Sequence, residues 1–174
     1  DPRWTDFLEH LSVADDHPLK APGSLPHPPY PDGFEAWHAT NVAPQRQAGY
    51  AIATVTLPLG DLTSYQLRAV SELARTRTGD TVRTTVEQNL VFRWVSEADL
   101  PHLYESLCAI GLGAPGAGTI TDVVACPGTD TCKLGISSSR GLADELRARL
   151  GAVADGLEAP VRRLHIKVSG CFNS

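Results

Sequence analysis

The hydrophobic period changes repeatedly between residues 50 and 113, and this constrains the fold more than any other feature of the chain. YAIATVTLPLG (50–60) alternates apolar with polar or small residues and ends at Pro58 and Gly60, as a strand entering a turn does. DLTSYQLRAVSELARTRTGD (61–80) then places Leu67, Val70, Leu73 and Ala74 at helical spacing, with Thr63 as cap and Gly79 as stop. TVRTTV (81–86) and LVFRWV (90–95) read as short strands separated by the tight polar EQN. SEADLPHLYESLCAIGLG (96–113) reads as a second helix, capped by Ser96 and stopped by Gly111 or Gly113.

The resulting order, β-α-β-β-α, is that of an α+β unit resembling half of a duplicated ferredoxin-like fold. Upstream, Trp4, Phe7, Leu8 and Leu11 share one face of a short helix. Six prolines over residues 18–31 then forbid both helix and central strand, which predicts an extended linker tied down by Tyr30, Phe34 and Trp37. Downstream come a Gly-rich loop, a cysteine pair, a helix in SSRGLADELRARLGAV (138–153) and a strand in VRRLHIKVS (161–169) that delivers Cys171. The boundaries expected are 1–33 for the helix and linker, 34–113 for the half-domain and 114–174 for the start of an α/β domain. No internal repeat is visible.

Composition narrows the function. The 174 residues are 42% hydrophobic and 20% charged, an ordinary globular balance with a net charge of −5 that favours neither nucleic acid nor an anionic membrane. No apolar run approaches the roughly 18 to 20 residues that a membrane span needs, and DPRWTDFLEH has no secretion-signal pattern, so the expected compartment is the cytoplasm. The start at Asp1 and the end just after Cys171 suggest a piece of a longer polypeptide.

Several motifs carry no chemistry on this reading. Gly111, Gly113 and Gly116 match G-x-G-x-x-G, but a helix precedes them and Pro115 interrupts them, so they read as a helix stop and loop. The six histidines are scattered without metal-ligand spacing. Cys108, four residues after Tyr104, reads as a small buried hydrophobe. Cys126 and Cys132, spaced C-x5-C around the bend at Pro127 and Gly128, together with Cys171, suit an iron–sulfur cluster or zinc. The long spacing favours the cluster. By itself it leaves a disulfide or unrelated thiols open.

DVVACPGTDTCKLGISSSRGLADELRARL (122–150), followed at distance by HIKVSGCFNS (165–174), resembles the cluster-binding domain of the siroheme-dependent nitrite and sulfite reductases. WHATNVAPQRQAGY (37–50) and the hairpin VRTTVEQNLVFRWV (82–95) are similar to the half-domain of that family's second repeat. The resemblance implies a [4Fe-4S] cluster held by Cys126, Cys132 and Cys171, with a fourth ligand one residue beyond Ser174. It also implies a siroheme, with Asn173 beside it and Gln88, Asn89 and Arg83 toward its carboxylates. Phe172 stands where the family usually has proline. The implied activity is six-electron reduction of nitrite to ammonium or sulfite to sulfide, with a donor such as ferredoxin. The first repeat, which holds most of the substrate-binding Arg and Lys residues, is absent, so these residues alone are expected to be inactive and do not indicate the preferred anion.

For Arg83, an exposed strand position is the competing reading. Lys133 either tempers the cluster's charge or is simply solvated. Arg140, Arg147, Arg149, Arg162 and Arg163 suggest a docking face for an acidic donor, against a solvated helix face interleaved with Asp144 and Glu145. Two other functions remain in view: a siroheme-free precorrin-3B synthase-like cluster enzyme of the cobalamin pathway, and a zinc- or disulfide-stapled module without activity.

Overall fold

The computed structural model describes residues 19–173. The expected helix at 4–11 lies outside them. From Leu19 to Pro31 the Pro-rich segment has no helix or strand, and these described residues are held at both ends. Lys20 bonds the Asp99 carboxylate at 2.7 Å and its carbonyl accepts the Tyr50 hydroxyl at 2.6 Å, while Tyr30 stacks on Phe34 with ring centroids 4.9 Å apart.

Helix α1 (Phe34–Asn41) and strand β1 (Val42–Pro44) come next, both beyond the sequence expectation. Phe34 and Trp37 are fully buried against Tyr104, with centroids 5.7 and 5.3 Å from its ring. Strand β2 (Tyr50–Val55) and helix α2 (Ser64–Arg77) follow the predicted pattern. Thr63 caps α2 in a reciprocal pair with Gln66: its hydroxyl accepts the Gln66 N–H at 3.1 Å, and Gln66 Oε1 accepts the Thr63 N–H at 3.0 Å. Gln66 also donates to the Ile110 carbonyl at 3.0 Å, joining the start of α2 to the end of the next helix.

Strands β3 (Val82–Thr84) and β4 (Leu90–Ser96) complete a four-stranded antiparallel sheet ordered β1-β2-β4-β3. Ala51 opposes Val95 whereas Ala53 opposes Phe92, so β4 carries an extra residue there. Trp94 absorbs it in the left-handed region at φ 61°, and its N–H donates to Gln45 Oε1 at 3.0 Å. The bulge explains why Phe92 and Val95, three apart, both face the core.

The second helix starts later than expected. A 3-10 turn (Glu97–Asp99) precedes α3 (Leu100–Ala109), and the buried Ser96 makes no side-chain cap bond. Pro101 in the first turn lacks the N–H that a cap would satisfy. Gly111, at φ 72°, ends the helix as expected. Cys108 is exposed rather than buried, because the helix turns its inward stripe through Leu103, Tyr104 and Leu107 instead.

A second, smaller core forms beyond residue 122. Strand β5 (Val124–Ala125), helix α4 (Ser139–Val153) and strand β6 (Lys167–Val168) build it around Val123, Ala125 and Ala143, with a short exposed helix α5 (Ala159–Arg162) between α4 and β6. β5 and β6 pair in parallel. The final strand is therefore confined to two residues, since Pro160 opens a helical turn where strand was expected. No described helix is long and apolar enough to cross a membrane.

Candidate functional site

The two segments carrying the three cysteines are bound to each other through backbone. Ile136 and Ser137 both donate to the Gly170 carbonyl, at 2.8 and 3.1 Å, and Cys126 N–H donates to the Val168 carbonyl at 3.1 Å. Within the first loop, Cys132 N–H reaches the Gly128 carbonyl at 3.0 Å. Such contacts need bare backbone: a Cβ on Gly170 would lie 2.7 Å from Gly128 Cα and 2.8 Å from the Ser137 carbonyl oxygen. Neither neighbour is the mobile end of a side chain, so glycine is required there.

The Cys126 sulfur accepts the Gly170 N–H at 3.2 Å and lies 3.4 Å from the Ser139 hydroxyl. Ser139, followed by the Gly170 and Gly128 amides, holds the Cys126 thiol below its ordinary value of 9.0, against the opposing effect of burial. Ser139 has one proton, which it gives to the Cys126 carbonyl at 2.7 Å. As negative charge gathers on sulfur that proton has a second acceptor within reach, whereas the Gly170 amide points at the sulfur in either state.

Cys132 is exposed and Cys171 half-buried. Among the described residues, no three Cys, His, Asp or Glu side chains gather closely enough to hold a metal ion. The donor chemistry nevertheless fits an iron–sulfur cluster: thiols on joined loops, amide donors to sulfur and no imidazole among them. Sites of this kind commonly complete their geometry as the metal binds.

The hairpin turn between β3 and β4 is fastened to this unit. Gln88, in the left-handed region at φ 62°, donates to the Ala125 carbonyl at 2.8 Å and accepts its N–H at 3.3 Å, immediately before Cys126. Asn89 is buried; it accepts the Leu57 N–H at 2.9 Å and donates to the buried Asp122 carboxylate at 2.8 Å. Both amides are thus engaged within the protein. Arg83 is exposed on the edge strand β3, and Asn173 is exposed beside Cys171.

Arg140 makes the other fastening. It donates to the Leu59 carbonyl at 3.0 Å, pairs with Asp61, and reaches Asp130, inside the cysteine loop, at 3.1 Å. Leu59 packs against the second core. The five arginines do not act as one stripe: Arg140 faces the half-domain and Arg149 pairs with Glu145 at 2.6 Å, while Arg163 and Lys133 are exposed. Sequence reasoning missed Ser139, Asp122 and Gly170, and it read Arg140 as part of a docking face rather than as a clamp to Leu59, Asp61 and Asp130. Ser139 was legible only as part of a helix start, and nothing local distinguishes Asp122.

Residues 43–110, from β1 to the end of α3, match the model of the nitrite/sulfite reductase ferredoxin-like half domain. The chain belongs to the nitrite/sulfite reductase family. A ferredoxin–nitrite reductase of Synechococcus elongatus is 32% identical over 136 residues, which are 76% of this chain and 25% of the relative. A sulfite reductase [ferredoxin] of Mycolicibacterium paratuberculosis is 33% identical over 112 residues, 62% of this chain and 20% of the relative. The structure of the Mycobacterium tuberculosis NirA protein superposes with a TM-score of 0.61 at 26% identity, covering 87% of this chain and 26% of that one. The chain of this nitrite/sulfite reductase family member thus spans about a quarter of the length of such relatives.

Proposed function

We propose that this chain is part of a siroheme- and [4Fe-4S]-containing oxidoreductase of the cytoplasm that reduces nitrite to ammonium or sulfite to sulfide, with ferredoxin as donor. The two groups, when bound, supply the six-electron redox chemistry. Cys126, Cys132 and Cys171 are the cluster ligands contributed by these residues, and Arg83 and Asn173 are the exposed polar groups for siroheme. Gln88 serves the same centre by fixing the hairpin to the residue before Cys126, and Asn89 by tying it to Asp122 four residues before that cysteine. The observation that carries the reading is the Gly170 N–H donated to the Cys126 sulfur at 3.2 Å. It joins one cysteine to the residue preceding another and stabilises thiolate charge, as cluster ligands require.

The test is an anaerobic visible spectrum with iron and acid-labile sulfide counts on the whole polypeptide that contains these residues, beside its Cys126→Ser variant. Siroheme bands with about four irons, reduced or lost in the variant, are expected. A cluster without siroheme points instead to a corrin-modifying relative. Absence of iron from the intact protein refutes the assignment of the cysteines.

A further inference from the structure

A cavity of about 540 Å³ opens where α1, the loop after Leu112 and the far half of α4 meet. It is separate from the cysteines. Ser139, which touches Cys126, opens α4, and Arg147 in the cavity wall lies eight residues later, about 12 Å along the helix axis. Its volume is that of a small-molecule site, as is its lining of apolar walls with a few convergent polar groups.

Ala36, Ala39 and Ile120 supply apolar wall, and Arg147 and Arg162 supply charge. Arg147 Nη1 is buried without a hydrogen-bond partner. A buried guanidinium nitrogen left unpaired is costly, and an acceptor placed in the cavity removes that cost. The Thr119 hydroxyl donates to the Gly116 carbonyl at 2.8 Å and accepts from the Thr121 hydroxyl at 2.9 Å, so both threonine protons are taken up within the wall and the arginines are the donors left for an external acceptor. Asp155 also lines the wall, and among the described residues it pairs with neither arginine. Two guanidiniums and one carboxylate leave a single positive charge. The mouth is braced by the Ile120 N–H bonded to the Arg162 carbonyl at 2.8 Å.

We propose that this cavity binds a small organic monocarboxylate. Its carboxylate is received by Arg147, with Arg162, and its apolar body lies against Ala36, Ala39 and Ile120. A planar carboxylate matches the guanidinium fork. The single excess charge disfavours a phosphate dianion, and the apolar walls leave space that an inorganic ion does not fill.

The probes are benzoate, its neutral isostere benzamide and inorganic phosphate, titrated at constant ionic strength into the protein and followed by calorimetry and amide chemical shifts. Saturable benzoate binding is expected, with shifts at Gly116, Thr119 and Gly151 rather than in residues 126–137. Benzamide should not saturate, and Arg147→Met should weaken benzoate by about tenfold or more, the scale of a lost charge-assisted bond. Arg162→Met gives a second reading at an exposed position, and weakening there too supports the site. No saturable benzoate binding to the wild-type protein overturns the proposal. So does phosphate binding tighter than benzoate, shifts confined to the cysteine loops, or an Arg147→Met affinity within about twofold of wild type.

Discussion

Arg140→Met tests whether the half-domain and the cysteine loop are held as one unit. Methionine keeps much of the apolar stem and removes every donor. Arg140 is 21% exposed, whereas its carboxylate partners Asp61 and Asp130 are 68% and 47% exposed and rehydrate freely when it is gone. Those two pairs therefore contribute only about 0.5 kcal/mol each. The bond to the Leu59 carbonyl comes from a charged donor and contributes about 1 to 1.5 kcal/mol. The expected loss is thus about 2 kcal/mol, read from urea midpoints with unchanged slope. Double-mutant cycles with Asp61→Asn and Asp130→Asn should each return a coupling of about 0.5 kcal/mol that fades in 1 M salt, while the Leu59 share persists. Amide exchange at Cys132 should quicken, because Asp130 no longer anchors its loop. A variant within about 0.3 kcal/mol of wild type, with Cys132 exchange unchanged, would refute the clamp.

Two further outcomes follow from buried polar groups. Asn89→Ala leaves the Leu57 N–H unpaired and takes one donor from the buried Asp122 carboxylate, which among the described residues keeps only the Gly118 N–H at 2.9 Å, so a loss of about 2 to 4 kcal/mol is expected; a denaturation midpoint near wild type would show that water replaces the amide. Asp99 is pushed upward by burial, but hydrogen bonds from Lys20 and Arg77 outweigh this and hold it below its ordinary value of 3.8. Its folded value being the lower one, the carboxylate's contribution is fully present above pH 3.8 and is lost as pH falls through the folded value. The stability gap between wild type and Asp99→Asn should therefore narrow in acid, and a gap constant from pH 7 to about pH 2 would contradict the linkage.

Local pattern determined the order of the central elements, because strand and helix periods and the Thr63 capping pair are properties of neighbouring residues. It also determined the kind of chemistry on offer, since three thiols on Gly- and Pro-bent loops are readable from spacing and from the resemblance they carry. Tertiary structure decided the rest. The Trp94 bulge shifts the alternation of β4, and no residue count inside one strand reveals which partner strand will absorb an extra residue. Cys108 lies outside the core because the azimuth of α3 is set by the aromatic cluster of Phe34, Trp37 and Tyr104, which joins positions far apart in the chain. Gln88 and Asn89 read as polar turn residues, yet their amides are taken up by Ala125, Leu57 and Asp122. Only the close approach of two separate cores brings Ala125 and Asp122 within hydrogen-bonding distance, and such an approach leaves no periodic trace in the sequence.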